Sequence, residues 1–527
     1  MNAFTESIRF WETLHHLIHR EGMRLIHLNE QDEVAWIEDD RREPYQIIRL
    51  AHKNYDWSIQ LKKDMDRTLE KAKQVRKSLG LRQANVINVI LAAYLPVDDY
   101  ERFTSQALPL TAGGKNQYRT ILIPMDDLKN RFFPLATEWK LANMPTYSAE
   151  SYIEENEQEE ILLQTLKHTV KTSMKKREEK ERGIFLYGKP LFTFVLLGII
   201  LTIFASIEAV GSTTSTLTLV EFGAKFDPYI LDGEWWRFFS AMFLHIGFLH
   251  LFMNSLALFY LGGAVERIFG TSRFILIYFI AGFIGSVSSF VFNDNVSAGA
   301  SGAIFGCFGA LLYFGLIHKR LFFRTMGMNV IVILAINLAF GFIVPMVDNG
   351  AHIGGLVGGF AASAIVGLPH QKGVLKKVIA MGLSIILTIT LLLVGYQQDL
   401  DKEQISVIYY QLARESMEED NPELAEDYLL NVVEVTDLIS NDLSANAHFL
   451  LSYIQINNNE YELAEENLLT TIDKDPSFHQ AYYNLALVYY EKQQYEEALE
   501  KVESALDIQA DNDDYQSLRD ELLELVE

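Results

Sequence analysis

The sequence predicts a multi-domain protein: a polytopic α-helical membrane bundle of seven spans, with an α/β domain before it and an all-α repeat superhelix after it. The chain has 527 residues, which exceeds the usual size of one domain. Residues 191–396 are dominated by apolar runs near the roughly 20 residues needed to cross a bilayer, whereas both flanks are polar. Short motifs also recur beyond residue 397. The expected domains are 1–150, soluble α/β; 151–190, a charged helical linker; 191–396, the membrane domain with its seventh span; and 397–527, the repeats.

The first domain alternates strand-like and helix-like patterns. Residues 34–37 and 46–50 are typical of short strands, and 57–79 of a polar helix. Apolar, β-branched residues then predict a buried strand at 85–92 and another strand at 120–124. This order indicates a small α/β domain, to which the sequence assigns no chemistry.

Four acidic residues follow the first of these strands: Glu38, Asp39, Asp40 and Glu43. Such a group of carboxylates could bind a divalent cation, which prefers oxygen ligands. The favoured alternative is a solvated turn between two strands, and the sequence leaves both interpretations open.

The charges around the apolar runs predict the orientation of the bundle. The runs cover residues 191–210, 239–261, 272–292, 301–317, 328–346, 352–369 and 374–396. A dense basic cluster between Lys167 and Arg182 precedes the first run, and such clusters stay on the cytoplasmic side. Basic residues recur after the second, fourth and sixth runs: Arg267, Arg273, Lys319, Arg320, Arg324, Lys372, Lys376 and Lys377. We therefore expect the N-terminal domain in the cytoplasm and, after seven crossings of the cell membrane, the repeat domain outside.

The loop between the first two runs is long and aromatic, with Phe222, Tyr229, Trp235 and Trp236. Aromatic side chains near a membrane edge usually lie in the interface. We expect this loop to be partly embedded in the outer leaflet.

The formal net charge of −24 belongs to the C-terminal domain. Residues 397–527 contain 32 acidic and 6 basic residues. Nucleic-acid binding needs a basic surface, so we expect no nucleic-acid partner. The single cysteine, Cys307, excludes an intrachain disulfide and is interpreted as a small packing residue.

The C-terminal domain contains a repeat. Ala447 and Ala481 are 34 residues apart, as are Ala464 and Ala498. This period and the surrounding motifs resemble tetratricopeptide repeats over roughly 405–527, with two good copies and a poorer one around residues 421–425. Stacked repeats form a short superhelix with a concave face. The domain is interpreted as a docking site for a protein partner or substrate, and an inert stabilising cap is the alternative.

A serine and a histidine stand where two of the apolar runs begin. Ser301 heads the fourth run and His352 the sixth, and nucleophilic or ionisable groups inside a bilayer are costly and usually functional. Small residues line one face of each run: Gly302 and Gly306, and Ala351, Gly355, Gly359 and Ser363. Such faces let two helices approach closely. The pattern predicts a Ser301/His352 pair in which His352 accepts the hydroxyl proton, and a dyad is favoured over a triad.

The second run adds two polar residues, His250 and Asn254. A spacing of four places them on one helical face, where both can donate hydrogen bonds to a developing oxyanion. Hydrogen bonding between helices without chemistry is the alternative, and the presence of Ser301 and His352 favours the oxyanion role.

Five motifs in this order resemble the rhomboid family of intramembrane serine proteases, over about residues 191–367. They are Trp236-Arg237, His250-x-x-x-Asn254, Gly262-Gly263-Ala264-Val265-Glu266-Arg267, Gly299-Ala300-Ser301-Gly302 and Ala351-His352-x-x-Gly355-x-x-x-Gly359.

The resemblance implies roles for these residues. Ser301 would be the nucleophile and His352 the general base, while His250, Asn254 and the backbone from Gly299 onward would form the oxyanion site. It also implies that Trp236-Arg237 stabilises the loop. Family members often stack a tyrosine beneath the histidine, and Phe305 stands at that position here.

The resemblance further implies what the protein acts on. Expected substrates are transmembrane helices with small or helix-breaking residues near the outer surface, cleaved without a metal or organic cofactor. The seventh span and the soluble domains are similar to a subgroup of bacterial rhomboids with extracytoplasmic tetratricopeptide repeats. The alternative is a membrane adaptor that binds client proteins through its repeats and does no chemistry.

Overall fold

The computed structural model describes residues 3–41, 45–81, 83–111, 114, 116–147, 156–344 and 346–526. The chain divides into two compact units. The first comprises Met1–Phe185 with Arg320–Met326, and the second comprises Leu186–Lys319 with Gly327–Glu527.

The first unit contains a six-stranded sheet in the order β1-β2-β3-β4-β6-β5. The strands are β1 (Arg24–Asn29), β2 (Val34–Asp39), β3 (Tyr45–His52), β4 (Ala84–Ala92), β5 (Leu108–Pro109) and β6 (Gln117–Pro124). Strands β1 to β3 form an antiparallel meander, β3, β4 and β6 run parallel, and β5 is antiparallel to β6. The four strands predicted from the sequence are confirmed. Strand β4 is central and buried along most of its length, as expected for a strand covered on both faces.

Helices cover this sheet. They are α1 (Ala3–His15), α2 (Ser58–Ser78), α3 (Glu101–Thr104), α4 (Leu128–Glu138) and α5 (Asn156–Phe185). Helix α2 confirms the predicted polar helix; it begins where the Gln60 side chain accepts the Trp57 amide at 3.3 Å. Phe10 and Trp11 of α1 are fully buried in the main apolar core, together with Phe132 of α4.

Three carboxylates of the predicted acidic cluster lie among arginines, namely Glu38, Asp39 and Asp40, whereas Glu43 lies outside the described residues. Glu38 is only 1% exposed and pairs with Arg24 at 3.1 Å and with Arg320. The expectation of a solvated turn was therefore wrong for Glu38, because its arginine partners could not be read from the local sequence. Among the described residues there is also no group of three His, Cys, Asp or Glu residues that could hold a metal ion.

The second unit is helical. Its first part contains α6 (Leu191–Val210), α7 (Thr216–Glu221), α8 (Asp227–Leu231), α9 (Arg237–Ser240), α10 (Gly247–Ala257), α11 (Gly263–Phe269), α12 (Thr271–Phe292), α13 (Ser301–Ile317), α15 (Gly327–Ile343), α16 (Asn349–Val366) and α17 (Val374–Gln397). Helix α14 (Lys319–Thr325) falls mostly in the first unit.

Within the described residues, five helices are long and apolar enough to cross a membrane: α6, the continuous α10–α11 segment Gly247–Phe269, α12, α16 and α17. A sixth is reached if the bent pair of α14 and α15 is one span, and α13 is a shorter apolar helix. The exact number of seven spans stays a prediction. The predicted second run also differs from the structure, because its helix begins at Gly247 and ends at Phe269.

Helices α12, α13 and α16 pack closely at the centre of the membrane domain. A Cβ atom added to Gly355 would overlap the carbonyl of Gly302, and one added to Gly359 would overlap the carbonyl of Gly306. Only glycine permits this approach, which confirms the predicted small-residue faces.

Residues 402–526 fold as α18 (Lys402–Glu418), α19 (Pro422–Val433), α20 (Asn441–Asn457), α21 (Tyr461–Lys474), α22 (His479–Glu491), α23 (Tyr495–Ile508) and α24 (Asp513–Val526). The alanines that defined the 34-residue period are fully buried: Ala447, Ala464, Ala481 and Ala498. Small side chains are needed at these positions because neighbouring helices pack there.

Candidate active site

Ser301 is the first residue of α13 and follows a turn that needs glycine. Gly299 has φ +143°, a conformation that L side chains rarely adopt. A Cβ atom at this position would lie 2.8 Å from the His250 ring. The Gly299 amide donates to the Ala241 carbonyl at 2.8 Å. Gly299 therefore contributes conformation and space at the site, while its own amide is already bonded.

The Ser301 hydroxyl and the His352 ring meet across α13 and α16. The distance from Ser301 Oγ to His352 Nε2 is 2.9 Å, and the histidine is 8% exposed. Phe305, one turn along α13, stacks on the imidazole with ring centroids 4.0 Å apart and planes within 11°. A phenyl ring thus occupies the stacking position and fixes the plane of the imidazole.

The other ring nitrogen of His352, Nδ1, is buried and has no hydrogen-bond partner among the described residues. The acidic residue nearest to His352 in sequence is Asp348, and its hydrogen bonds go to other groups. Its carboxylate caps α16 by accepting the Ala351 amide at 2.8 Å, and it accepts the hydroxyls of Ser297 at 2.7 Å and Ser289 at 2.5 Å. Asp348 therefore positions the helix that carries His352. Sequence reasoning missed this role, although an Asp at the N-cap position was a usable signal.

His250 and Asn254 lie beside the Gly299 turn. His250 Nδ1 accepts the Ile246 amide at 3.4 Å, which leaves Nε2 to carry the proton of a neutral ring. This Nε2 lies 3.0 Å from the position of a Gly299 Cβ, and Asn254 Nδ2 lies 3.6 Å from it. Asn254 Nδ2 is buried and has no hydrogen-bond partner in the described part of the chain. Two donors therefore converge on the Gly299 turn, two residues before Ser301, in an arrangement that can bind a negatively charged oxygen.

A third histidine was not singled out from the sequence. His245 is buried, with 1% of its surface exposed. Its ring meets that of His250 edge to face, with centroids 5.2 Å apart. The spacing of His245, His250 and Asn254 within one apolar run was the signal that could have identified it.

The loop from 211 to 236, here called the covering loop, is held together by Arg237. This buried side chain donates to the carbonyls of Val220 at 2.7 Å and Ala224 at 2.9 Å. Its guanidinium also lies 4.8 Å from the ring centroids of both Tyr229 and Trp236. Such charge-assisted bonds and cation–π contacts give the loop a defined shape.

Glu266, from the glycine-rich motif after α10, is fully buried. Its carboxylate accepts the amides of Phe192 at 2.9 Å and Thr193 at 2.8 Å, and the hydroxyl of Thr271 at 2.7 Å. It thereby satisfies amides at the start of α6 that have no partner within the helix.

Comparison with known proteins gives similarity over nearly the whole chain. The family model of the Rhomboid domain matches residues 232–369, and that of the Tetratricopeptide repeat matches 449–514. "Rhomboid protease GluP" of Bacillus subtilis (strain 168) is 36% identical over 491 residues, 92% of each chain. "Putative rhomboid protease YdcA" of the same organism is 37% identical over 184 residues, 34% of this chain and 89% of that one. "RHOMBOID-like protein 1" of Arabidopsis thaliana is 40% identical over 163 residues, 30% of this chain and 42% of that one.

Proposed function

Since the chain belongs to the rhomboid family and is an intramembrane serine protease, we propose that Ser301 is its nucleophile and His352 its general base. The observation that carries this proposal is the 2.9 Å distance between Ser301 Oγ and His352 Nε2. At that distance the imidazole can accept the hydroxyl proton directly.

The reaction proceeds in two steps. Ser301 Oγ attacks the carbonyl carbon of the scissile peptide bond while its proton passes to His352 Nε2. The tetrahedral intermediate collapses when the imidazolium gives this proton to the leaving amine, which breaks the C–N bond and leaves an acyl-enzyme. A water molecule then attacks the acyl carbon while the same nitrogen takes its proton. The bond between this carbon and Ser301 Oγ breaks, the imidazolium returns the proton to Oγ, and the new carboxyl end is released.

The oxyanion of each intermediate is stabilised by hydrogen-bond donors around the Gly299 turn. His250 Nε2, Asn254 Nδ2 and the backbone amide of Ser301 are the proposed set. The buried Asn254 amide supports this role, because a donor without a protein acceptor costs free energy in the resting enzyme and is satisfied when the oxyanion forms. Phe305 keeps the imidazole in the plane that serves both proton transfers.

The proposed substrates are transmembrane proteins cleaved near the outer face of the membrane. A helix hides its carbonyls in its own hydrogen bonds, so small or helix-breaking residues near that face would let a segment extend into the site. We assign residues 1–150 to the cytoplasm and the repeats at 397–527 to the outside. The basic residues after alternate apolar runs support this orientation. The repeat domain would bind a protein partner or substrate.

The proposed dyad is tested by labelling the full chain in detergent with a fluorophosphonate, which reacts with activated serines. We expect labelling of the wild type and its loss in both Ser301→Ala and His352→Ala. A matched control is Ser363→Ala, since Ser363 is a serine of the helix that carries His352 and its hydroxyl donates to the Gly359 carbonyl of that same helix. Labelling that survives Ser301→Ala would exclude this serine as nucleophile, and the adaptor alternative predicts no labelling of any variant.

A further inference from the structure

The first repeat helix, α18, is bonded to the covering loop. Glu415 Oε2 accepts the hydroxyl of Ser215 at 2.8 Å and the amide of Leu217 at 2.7 Å. Ser215 in turn caps α7 by accepting the Thr218 amide at 3.0 Å. The Gln411 amide donates to Thr216 at 2.7 Å. The first turn of α7 is therefore fixed partly by side chains of the repeat domain.

An apolar core joins the same two segments. Leu217, Val220 and Phe226 of the covering loop are buried in one cluster with Ile405, Ile408 and Leu412 of α18. The rings of Phe226 and Tyr409 meet edge to face, with centroids 5.4 Å apart. This core resembles the interior of a single domain, whereas a domain on a flexible tether would leave these faces separate.

The covering loop is bonded in turn to the segment that enters α13. The Lys225 and Ser297 backbones exchange two hydrogen bonds, both 2.9 Å long. The buried Lys225 ammonium also donates to the carbonyls of Asn293 and, at 3.3 Å, Asn295. The Ser297 hydroxyl then donates to Asp348, the cap of the His352 helix. Ser297 is four residues before Ser301, so the loop is linked to both members of the proposed dyad.

Helix α18 reaches this segment directly as well. Gln404 Nε2 donates to Asn295 Oδ1 at 2.8 Å. The repeat domain therefore bonds to both of the segments that pair at Lys225 and Ser297. It contacts the covering loop through α7 and the segment entering α13 through Asn295.

From these contacts we infer that the first repeat helix positions the covering loop and the segment entering α13, so that the repeat domain sets the reactivity of Ser301 itself. Glu415 is the proposed positioning residue. The inference rests on the proposed function, and it differs from the interpretation of the repeats as a docking site or an inert cap. A docking site would change the capture of substrates, whereas a positioning contact changes the rate at the serine.

The test measures the rate at which a small fluorophosphonate labels the full chain in detergent, because such a probe needs no docking on the repeats. Glu415→Ala should slow labelling roughly threefold to tenfold, the range expected for coupling between linked sites. Glu415→Gln keeps an acceptor oxygen and should restore most of the rate. The control Glu418→Ala alters an exposed carboxylate at the end of the same helix and should leave the rate unchanged.

A second variant keeps the test decisive if Glu415→Ala lowers stability. Ser215→Ala removes one of the same bonds from the loop side, and its effect combined with Glu415→Ala should be less than additive. Equal labelling rates for Glu415→Ala and the wild type would overturn the inference, even if cleavage of a membrane substrate fell. That result would show that the repeat domain acts only by recruiting substrates. If the wild type is not labelled at all, the failure lies with the proposed dyad.

Discussion

The Ser297 hydroxyl lies 2.7 Å from the Asp348 carboxylate and so links the segment before Ser301 to the first turn of the His352 helix. The two proposed catalytic residues stand on different helices, and this bond joins the starts of both. Asp348 also caps α16 through the Ala351 amide. The Asp348 carboxylate therefore positions the backbone at the start of α16, while Phe305 and Ser301 hold the imidazole ring itself.

Asp348→Ala is expected to slow proteolysis by about one to two orders of magnitude, because misplacing a catalytic group by about 1 Å can cost that much. It should also lower stability by about 1 kcal/mol through the lost N-cap. Asp348→Asn keeps an acceptor for the Ala351 amide and should lose less activity and less stability than Asp348→Ala. The fluorophosphonate labelling rate and the thermal unfolding midpoint in detergent measure the two effects. A wild-type labelling rate in Asp348→Ala would show that the capping bond does not position His352.

Asn254→Ala should reduce kcat on a transmembrane substrate by roughly a hundredfold to a thousandfold, the usual effect of removing one oxyanion donor. KM should change little, because the donor acts mainly on the intermediate. Asn337→Ala is the matched control, since Asn337 lies on an apolar helix and bonds only the Ile333 carbonyl of its own helix. A rise in KM without a fall in kcat would instead assign Asn254 to substrate binding.

Sequence reasoning located the parts of the site that depend on local rules. The backbone conformation of Gly299 requires glycine, and so does the close contact between Gly302 and Gly355. The turn and the helix contact could therefore be predicted from residue type and spacing. The position of Phe305 beneath His352 followed from the family resemblance.

Contacts between distant segments could not be predicted in the same way. Glu38 is buried against Arg320, which is far along the chain, so its own neighbours in sequence suggested a solvated turn. The core that joins α18 to the covering loop also unites segments almost 200 residues apart. The second membrane helix begins at Gly247, later than its apolar run, because the residues before it form α9 and the short 3-10 helix Ala241–Phe243.

Phe305→Tyr should retain most of the activity, because the tyrosine ring can stack on His352 as the phenyl ring does at 4.0 Å. Phe305→Ala should lower kcat roughly tenfold, since aromatic stacking contributes about 0.5–1.5 kcal/mol and its loss frees the imidazole to rotate. Kinetics on one substrate compare the two variants. Equal activities would mean that the hydrogen bond to Ser301 is enough to orient the ring.

In the first unit, the pH dependence of stability should follow His52. Burial alone would lower the pKa of His52, but the hydrogen bonds and charges of Glu33, at 2.5 Å, and Glu6, at 3.1 Å, outweigh it and raise the pKa. Because the folded-state pKa is above that of the unfolded chain, the stabilisation is complete below about pH 6.5 and is lost as the pH rises through the folded-state value.

This dependence is measured by hydrogen exchange of β3 amides in the full chain between pH 5.5 and 8. Protection in the wild type relative to His52→Gln should be greatest at low pH and decline as the pH rises. Comparison at each pH removes the intrinsic dependence of exchange on pH. The control His27→Gln alters an exposed histidine of β1 and should match the wild type. A difference that stays constant with pH would show that His52 does not titrate in this range.

Arg320→Ala should destabilise the first unit strongly, because it leaves the carboxylate of Glu38 buried with Arg24 as its remaining ion-pair partner. Removing one partner of a buried pair typically costs on the order of 3 kcal/mol, whereas an exposed pair contributes at most about 1 kcal/mol. Arg131→Ala breaks the exposed pair with Asp127 in the same unit and provides the contrast. Exchange of the β2 amides should become much faster in Arg320→Ala and stay near the wild-type rate in Arg131→Ala. Restored protection in the double variant Glu38→Gln/Arg320→Ala would identify the unpaired charge as the cause, and equal exchange in the two single variants would contradict a structural role for the buried pair.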